Sequence, residues 1–332
     1  MSAYFRPLVQ HGPARPEGAQ PLAGGALWFT HLQSLSRDGV PGVVAAADLP
    51  EPVLACLTRP RPPLLGLGMD RPQIMGILNT TPDSFSDGGL HHAPEAALVA
   101  ARGMIAAGAA IIDIGGESTR PGAAPVPEAD EIARTRPVIA ALAGETATPL
   151  SVDTRNAPVA AAALDAGAHL VNDVSGLTHD AEMVRLCAAR GVPVCVMHAQ
   201  GDPQTMQENP RYGNVLLDVY DFLETRIAAL ERAGIPRDRI VADPGIGFGK
   251  TQGHNLAILQ NIALFHGLGC AILLGVSRKR FIGTIGEEPR ADARAPGSIA
   301  VGLAALAQGV QILRVHDVAA TAQAVRLWQA VR

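Results

Sequence analysis

Eight short apolar runs, each followed by a polar residue, recur along the chain. The runs and the polar residues that end them are Ile74–Leu78 and Asn79, Ala109–Ile112 and Asp113, Leu150–Val152 and Asp153, Leu170–Val171 and Asn172, Val192–Met197 and His198, Ile240–Ala242 and Asp243, Ala271–Val276 and Ser277, and Val310–Leu313 and Arg314. Parallel strands that are buried on both faces are apolar throughout rather than alternating. The runs therefore predict eight parallel strands, and the α/β fold that contains eight of them is the (β/α)8 (TIM) barrel.

Helical patterns lie between these runs, as the barrel requires. They are predicted over Glu95–Ala107, Glu128–Ala143, Ala157–Ala166, Ala181–Ala189, Val215–Ala233, Asn255–Phe265, Ala295–Gln308 and Val318–Val331. A glycine closely follows most of them, at the position where the left-handed end of a helix favours that residue. Because the catalytic groups of such barrels lie at the carboxyl ends of the strands, the polar residues that end the runs should meet at one mouth.

The first 70 residues differ from the rest of the chain. They are rich in proline, glycine and arginine, carry Trp28 and Phe29, and show no strong periodicity. One barrel of about 250 residues plus an appendage accounts for the chain better than two independent domains do. We therefore expect residues 71–332 to form the barrel and residues 1–70 to form an N-terminal extension. This extension would be a small accessory domain or a cap at the bottom of the barrel, to which Trp28 and Phe29 would contribute.

Composition narrows the possible partners. The hydrophobic fraction of 48% fits a globular core, and the net charge of −4 argues against the basic surface of a nucleic-acid-binding protein. No apolar run approaches the ~18 residues of a membrane span, and no signal peptide is evident. Cys195 and Cys270 lie in or beside apolar runs, which favours buried thiols and a reducing compartment. We expect a soluble cytoplasmic protein, without nucleic-acid or membrane partners, in which a few local cations hold any anionic substrate.

Three of the residues that end the runs suit a flat heterocyclic ligand. Asp153, Asn172 and Asp243 would place carboxylate and amide groups at the mouth of an apolar barrel. A carboxylate accepts two adjacent donors at once, such as the ring N–H and amino groups of guanine-like rings and pterins. Alternatively, each side chain could have a purely structural role, in which it hydrogen-bonds the backbone at a strand end. This explanation is weaker for all three residues together than for any one of them.

Cations cluster after the last two predicted strands. Arg314 and His316 alternate along the chain, so both side chains should point to the same face, next to the start of the last helix. Together with helix N–H groups they would make a phosphate site, which is common near strands 7 and 8 of barrels. Lys279, within Ser277–Arg280, would lie at the mouth, where its ammonium could reach a ring atom. The alternatives are a surface arginine with a core histidine, and a solvated run of charge.

The remaining polar segments favour a ligand pocket over a hydrolase centre. Asp243–Lys250 is glycine-rich but matches no nucleotide-binding fingerprint, and it could bring Phe248 against a flat ligand. Zinc chemistry is disfavoured because His198 has no partner at ligand spacing, and a serine nucleophile because there is no nucleophile elbow. Asn79 together with a substrate diphosphate could hold Mg2+. The long polar loops over residues 79–89 and 115–122 are expected to be functional.

With these residues in view, the chain closely resembles the bacterial dihydropteroate synthase family over residues 73–332. The resemblance is carried by the ordered motifs Ile77–Gly89, Gly115–Gly122, Ser151–Thr154, Asn172–Ser175, Met197–His198, Asp243–Thr251, Gly275–Lys279 and Arg314–Asp317. It implies the condensation of (7,8-dihydropterin-6-yl)methyl diphosphate with 4-aminobenzoate to 7,8-dihydropteroate and diphosphate, a transferase reaction of folate biosynthesis. It also implies an SN1-like displacement, Mg2+ as the cofactor and a homodimer.

The resemblance assigns a role to each motif position. The implied pterin-binding residues are Asp153, Asn172, Met197, Asp243, Phe248 and Lys279. The implied diphosphate-binding residues are Asn79, Arg314 and His316, with Asn79 also a ligand of Mg2+. The implied aminobenzoate-binding residues are Phe85, Thr119, Arg120, Pro121 and Ser277. The catalytic groups would be Asp153, Lys279, Arg314 and His316. Asp153 would stabilise the pterin cation, and Arg314 and His316 the departing charge.

Two other functions share parts of this pattern. A pterin-dependent methyltransferase has the same barrel and the same acidic and amide pterin ligands, but it needs neither Lys279 nor the two phosphate-binding cations. A non-catalytic paralogue would be expected to have lost one of these charges, and none is missing. Members of the family usually begin close to the first strand, so the resemblance assigns no role to residues 1–70.

Overall fold

The computed structural model of the chain describes residues 3–81, 93–118, 125–201 and 205–332. In the first of these ranges, five short antiparallel strands precede the barrel: β1 (Tyr4–Pro7), β2 (Gln20–Pro21), β3 (Trp28–Phe29), β4 (His31–Leu35) and β5 (Gly42–Ala45). They form a three-stranded sheet in the order β1-β4-β5 and a β2-β3 pair, and helix α1 (Glu51–Thr58) follows them. Buried side chains of this region, among them Leu22, Phe29, Leu32 and Leu57, form an apolar core of their own.

Eight parallel strands of the described chain form a closed barrel, in which sequence neighbours pair and β13 returns to pair with β6. They are β6 (Gln73–Asn79), β7 (Ile111–Gly115), β8 (Leu150–Asp153), β9 (Leu170–Asp173), β10 (Val194–Met197), β11 (Ile240–Asp243), β12 (Ala271–Leu274) and β13 (Ile312–Val315). The predicted barrel is therefore confirmed. Each strand overlaps one predicted apolar run and ends within three residues of its polar residue, because burial on both faces stops at the mouth.

Helices of the described chain surround the barrel. They are α2 (Ala93–Ala107), α3 (Glu128–Glu145), α4 (Ala157–Asp165), α5 (Ala181–Arg190), α6 (Val215–Arg232), α7 (Gln252–Gln260), α8 (Arg280–Ile285), α9 (Ala295–Leu306) and α10 (Val318–Val331). Most agree with the predicted helices to within a few residues. Helix α8 lies in a segment for which no helix was predicted.

The helix predicted over Asn255–Phe265 is wrong in its limits. Helix α7 begins earlier, because the Thr251 hydroxyl accepts the His254 N–H at 3.2 Å and the His254 ring accepts the Thr251 N–H at 3.3 Å. This reciprocal cap satisfies two donors that would otherwise lack partners at the start of the helix. The α-helix ends at Gln260 with Asn261 as its C-cap, and a separate 3-10 helix covers Ile262–Leu268.

The inner core of the barrel is closed from below by the segment that leads into β6. Leu64 and Met69 pack in one apolar cluster with inward-facing strand residues, which include Met75, Ile111, Leu170, Cys195, Val241, Leu273 and Ile312. Of the two alternatives left open for the extension, a bottom cap would have used Trp28 and Phe29, and Phe29 belongs to the separate N-terminal core. The segment around residues 64–69 is what fills the bottom, because it immediately precedes the first barrel strand.

Polar contacts also join the first 70 residues to the barrel. The buried Arg61 guanidinium donates to the backbone carbonyls of His266 at 2.9 Å and Cys270 at 3.1 Å, on the barrel side. It also donates to the carbonyls of Cys56 at 2.8 Å and Arg59 at 3.2 Å, on its own side. On the outside, Arg37 pairs with Asp218 and Asp221 of α6 at 2.7 and 2.6 Å. The N-terminal region is thus bonded to the barrel at its base and along one helix.

Candidate active site

Strand geometry explains why polar side chains gather inside the mouth. Successive side chains of a strand point to opposite faces, so every second residue faces the barrel interior. Each polar residue in question lies two positions after an apolar residue of the inner core. These pairs are Ile111 and Asp113, Leu170 and Asn172, Val241 and Asp243, and Ile312 and Arg314. Met197 stands in the same relation to Cys195. On the strands that carry these four pairs, an apolar layer therefore lies below a polar layer at the mouth.

Arg314 bridges two aspartates across the mouth. Its Nε lies 2.6 Å from Asp113 Oδ2 and its Nη2 lies 2.6 Å from Asp153 Oδ2. Asn172 Nδ2 donates to the same Asp113 Oδ2 at 3.0 Å. The sequence prediction assigned Arg314 to the diphosphate and Asp153 to the pterin, whereas the structure joins the two side chains directly. Charge-assisted bonds of this kind hold all four side chains in one arrangement.

Asp113 was missed as a site residue by the sequence analysis. It was recognised as a residue at the end of a strand, but no role was given to it. Its side chain is fully buried and is the common partner of Arg314 and Asn172. A signal was available, because Asp113 follows an inward-facing isoleucine by two residues, as Asp243 follows Val241.

Two carboxylate oxygens of this cluster remain as buried acceptors. Asp113 Oδ1 and Asp153 Oδ1 are buried and accept no hydrogen bond from the residues that the structure describes. A buried polar atom without a partner is costly, and it commonly marks a ligand site. Burial raises the pKa of Asp153 above its ordinary value, while the Arg314 guanidinium opposes that shift. The cluster therefore presents acceptors to a donor that enters the mouth.

The Asp243 carboxylate lies on the other side of the mouth, under a glycine-rich loop. Its Oδ1 accepts the Gly245 N–H at 2.7 Å, which fixes the plane of the carboxylate. Burial raises the pKa of Asp243 to about 6, although that hydrogen bond and the Lys279 charge act against the shift. Lys279 Nζ lies 4.1 Å from the centroid of the Phe248 ring, a cation–π distance. The three predicted pterin residues Asp243, Phe248 and Lys279 are thus neighbours.

The ends of β12 and β13 are tied together by Ser277. Its Oγ accepts the His316 backbone N–H at 3.1 Å and lies 3.0 Å from His316 Nδ1. Beside it, Arg278 pairs with both oxygens of Asp317 at 3.0 and 2.5 Å. Ser277 was predicted to bind aminobenzoate and His316 to bind diphosphate, so the structure places a residue of each predicted set in direct contact.

The remaining predicted residues lie around the first two loops. Asn79 is the last residue of β6 and is half-buried. Phe85, Thr119, Arg120 and Pro121 lie outside the described residues. Within the described ranges, no group of three or more His, Cys, Asp or Glu side chains could hold a metal ion.

Comparison with known proteins identifies the family. The family model of pterin binding enzymes matches residues 75–316. A dihydropteroate synthase of Escherichia coli (strain K12) is 44% identical over 254 residues, which are 76% of this chain and 89% of that protein. This chain belongs to the dihydropteroate synthase family. The resemblance predicted from the motifs is thereby confirmed, and so is the assignment to the transferases.

Solved structures of the dihydropteroate synthase family agree with the fold. The enzyme of Xanthomonas albilineans in a structure with 4-aminobenzoic acid superposes with a TM-score of 0.76 at 46% identity, over 80% of this chain and 94% of that chain. A structure of the same enzyme in complex with 7,8-dihydropteroate gives a TM-score of 0.73 at 43% identity, over 80% and 95% of the two chains. These superpositions support the (β/α)8 barrel of this chain.

Proposed function

We propose that the mouth of the barrel condenses (7,8-dihydropterin-6-yl)methyl diphosphate with 4-aminobenzoate, giving 7,8-dihydropteroate and diphosphate. The observation that carries this proposal is the buried cluster of Asp113, Asp153, Asn172 and Arg314 opposite Asp243. It joins acceptors for a donor-rich ring to a cation suited to phosphate, in a barrel of the dihydropteroate synthase family. The X. albilineans relative is described with 4-aminobenzoic acid and with 7,8-dihydropteroate.

The pterin would bind edge-on to the carboxylates. The ring N–H and amino group of a pterin are adjacent donors, which a carboxylate such as Asp243 accepts together. The buried Oδ1 atoms of Asp113 and Asp153 offer acceptors to donors elsewhere on the ring. Lys279, over the Phe248 ring, would donate to a ring oxygen or nitrogen, and Met197 would pack against the ring face. Buried acceptors of this kind discriminate strongly against rings that lack the matching donors.

The reaction would break the bond between the pterin methylene and the diphosphate before the arylamine attacks. Positive charge then develops on the methylene, and the buried Asp153 carboxylate would stabilise it. Arg314 would meet the departing diphosphate with Nη1, which donates to none of the described residues, while Asp113 and Asp153 hold Nε and Nη2. His316, held by Ser277, would be the second phosphate donor. These reaction steps need no covalent bond between the substrate and the protein.

Magnesium would fit this arrangement as an ion held mainly by the substrate. Mg2+ usually keeps several waters and takes few protein oxygens beside substrate phosphates. The Asn79 amide oxygen at the end of β6 would be its ligand from the chain. When bound, the ion would neutralise charge on the leaving diphosphate.

We further propose that the enzyme works in the cytoplasm as a homodimer. Cys187, Cys195 and Cys270 are buried thiols outside any disulfide, and Cys56 is also unbridged, which suits a reducing compartment. Burial raises the pKa of Cys187 and Cys270 to about 12, so these thiols are inert. No helix among the described residues is both long and apolar enough to span a bilayer. The homodimer rests on the family resemblance.

The proposal is tested by following diphosphate release from the pterin diphosphate with Mg2+ present. We expect release to depend on 4-aminobenzoate and to match the dihydropteroate that is formed. Fast release that 4-aminobenzoate does not change would indicate a hydrolase. Binding of hydroxymethylpterin without any release would indicate a non-catalytic pterin-binding protein.

A further inference from the structure

Lys250 is a buried cation that the proposed reaction does not use. It ends the loop that follows β11, and its side chain is only 2% exposed. Four acceptors surround its Nζ: His198 Nδ1 at 2.8 Å, Gly245 O at 2.9 Å, Phe248 O at 3.1 Å and His198 O at 3.2 Å. Two of these acceptors belong to the loop itself and two to the residue that follows β10. The lysine therefore ties the loop to the end of the neighbouring strand.

The surroundings of Lys250 are built to hold a donor rather than a pair of opposite charges. An ammonium has three protons, so three carbonyls and one imidazole nitrogen satisfy it completely. Burial and the Lys250 charge lower the pKa of His198 to about 3, which keeps the imidazole neutral and able to accept. Burial likewise lowers the pKa of Lys250 to about 7, while the nearby Asp243 opposes that shift. Asp243 and Lys279 are the charged groups that act on the Lys250 ammonium, and all four acceptors that bond its Nζ are uncharged.

The two loop carbonyls that Lys250 holds belong to residues that shape the pterin pocket. Gly245 donates its N–H to Asp243 Oδ1, and Phe248 supplies the ring under Lys279 Nζ. The loop needs left-handed backbone at Gly245, Gly247 and Gly249, with φ of +69°, +85° and +60°. A Cβ added at Gly245 would collide with the His198 carbonyl oxygen, so the loop passes very close to the strand end. The conformational freedom of glycine makes this backbone conformation accessible among others. The Lys250 ammonium, which donates to carbonyls inside the loop, would favour this conformation over the others.

We propose that Lys250 is a positioning residue for the pterin. It sets the orientation of the Asp243 carboxylate and the Phe248 ring through the backbone of residues 245 and 248, without touching the ligand itself. This proposal rests on the proposed pterin-binding function of the same mouth. It predicts that removal of the ammonium weakens binding of the pterin and leaves the aminobenzoate side unaffected.

The test replaces Lys250 by methionine, which keeps most of the length of the side chain but removes the donor. Affinity for hydroxymethylpterin is measured by calorimetry, and KM is measured for each substrate with the other at saturation. We expect Lys250→Met to weaken hydroxymethylpterin binding about tenfold or more, the effect of losing one or more well-placed hydrogen bonds. The KM for 4-aminobenzoate should stay within about twofold of the wild-type value, since no contact on that side is lost.

A matched control separates positioning from general destabilisation. Arg61 is also a buried cation held by backbone carbonyls, but it lies at the opposite end of the barrel. Arg61→Met should lower the melting temperature while leaving hydroxymethylpterin affinity at the wild-type level. Equal losses of affinity in Arg61→Met and Lys250→Met would overturn the proposal, and so would wild-type affinity in folded Lys250→Met.

A second variant covers the case in which Lys250→Met does not fold. Lys250→Gln keeps a neutral donor in the same place and should show a smaller loss of hydroxymethylpterin affinity in the same direction. Wild-type affinity in this variant would refute the positioning role. If neither variant folds, Lys250 is required by the fold itself and the proposal is wrong. If the wild-type chain does not bind hydroxymethylpterin, it is the proposed function that fails, and the stability data still report on Lys250.

Discussion

The two ends of the barrel each contain a buried arginine, and the two arginines are satisfied in different ways. At the bottom, all three nitrogens of Arg61 donate to backbone carbonyls, beside an apolar cluster that includes Leu64 and Met69. At the mouth, Arg314 is held by Asp113 and Asp153, each of which keeps a buried oxygen without a partner among the described residues. Every nitrogen of Arg61 thus has an acceptor within the chain, whereas Asp113 and Asp153 keep acceptors that the described residues leave open to a ligand.

This difference shows where stability and chemistry lie in the fold. Backbone carbonyls are fixed in direction by the strands and helices that they end, so Arg61 adds stability without introducing titratable groups. Carboxylates at the mouth raise the electrostatic cost of the ligand-free state, because Asp113 and Asp153 share one guanidinium in a buried place. In the proposed function, a donor-rich ring that enters the mouth would recover this cost as binding energy.

The largest effect is expected for Arg314→Ala. Loss of the guanidinium removes a donor to the departing diphosphate and leaves Asp113 and Asp153 without their cation. We expect kcat to fall roughly 100- to 1000-fold, the size found when one charge-stabilising donor is removed. Arg61→Met should instead lower the melting temperature and leave kcat close to wild type. A stopped assay of dihydropteroate formation, with thermal unfolding of both variants, compares the two ends directly.

Arg314→Ala also tests the phosphate assignment. The variant should lose far more affinity for the pterin diphosphate than for hydroxymethylpterin, which lacks the phosphates. Because Arg314 contacts Asp113 and Asp153, some loss for hydroxymethylpterin is expected as well. Equal losses for the two ligands would place Arg314 in the pterin site rather than the diphosphate site.

The next effect is expected for Asp243→Asn. The change replaces one acceptor oxygen by a donor that faces the donors of the ring, and it removes a charge-assisted bond. We expect a loss of roughly 2–4 kcal/mol in pterin binding, measured by calorimetry, with a much smaller change in fold stability. Asp238→Asn, at an aspartate two residues before the start of β11, is a control that should change neither quantity. Unchanged pterin affinity in Asp243→Asn would remove Asp243 from the site.

A smaller effect is expected from pH. As pH falls, the stability of the ligand-free fold and the affinity for pterin should change in opposite directions. The pKa of Asp243 in the folded chain is raised to about 6 from an ordinary value of 3.8. Between these values the folded state binds more protons than the unfolded state, so this group makes the ligand-free fold more stable as pH falls from about 6 towards 4. The proposed pterin site uses the ionised Asp243 carboxylate, so pterin affinity should fall in the same window, by about tenfold per pH unit well below 6.

The pH prediction is measured as a difference between wild type and Asp243→Asn, which removes the contribution of every other titrating group to first order. Calorimetric pterin affinity and thermal unfolding are followed across this window. Relative to Asp243→Asn, the wild-type chain should gain stability and lose pterin affinity over the same pH range. A wild-type affinity that stays level through pH 6 would show that Asp243 titrates lower than the structure indicates.

The smallest effect on chemistry is expected from removing the N-terminal region. A chain that begins at Asp70 lacks Arg61, Leu64 and Met69, so the inner core loses its plug at the bottom. We expect a clearly lower melting temperature, but kcat close to that of the full chain at a temperature where both are folded. Folded, soluble protein without turnover would show that the bottom of the barrel also supports the site.

Much of the barrel could be predicted because its determinants are local. An apolar run followed by a polar residue depends only on consecutive positions, and burial on both faces forces that pattern in a parallel barrel. The same local rule placed Asp153, Asn172 and Asp243 at the mouth. The limits of α7 were wrong because the reciprocal cap between Thr251 and His254 begins the helix before the apolar pattern does. The cap was visible in the sequence as a threonine three residues before a histidine, a less common partner than glutamate.

Other features could not be predicted because they depend on residues that are distant in sequence. Arg314 meets Asp113 across 201 positions and Asp153 across 161, and only barrel closure between β13 and β6 brings them together. Arg61 reaches carbonyls 205 and 209 positions away. The sequence by itself determined which side chains face the mouth, since strand alternation decides that locally. The tertiary structure decided which of them form ion pairs with one another. Partners in a closed barrel are set by strand order and register rather than by spacing along the chain.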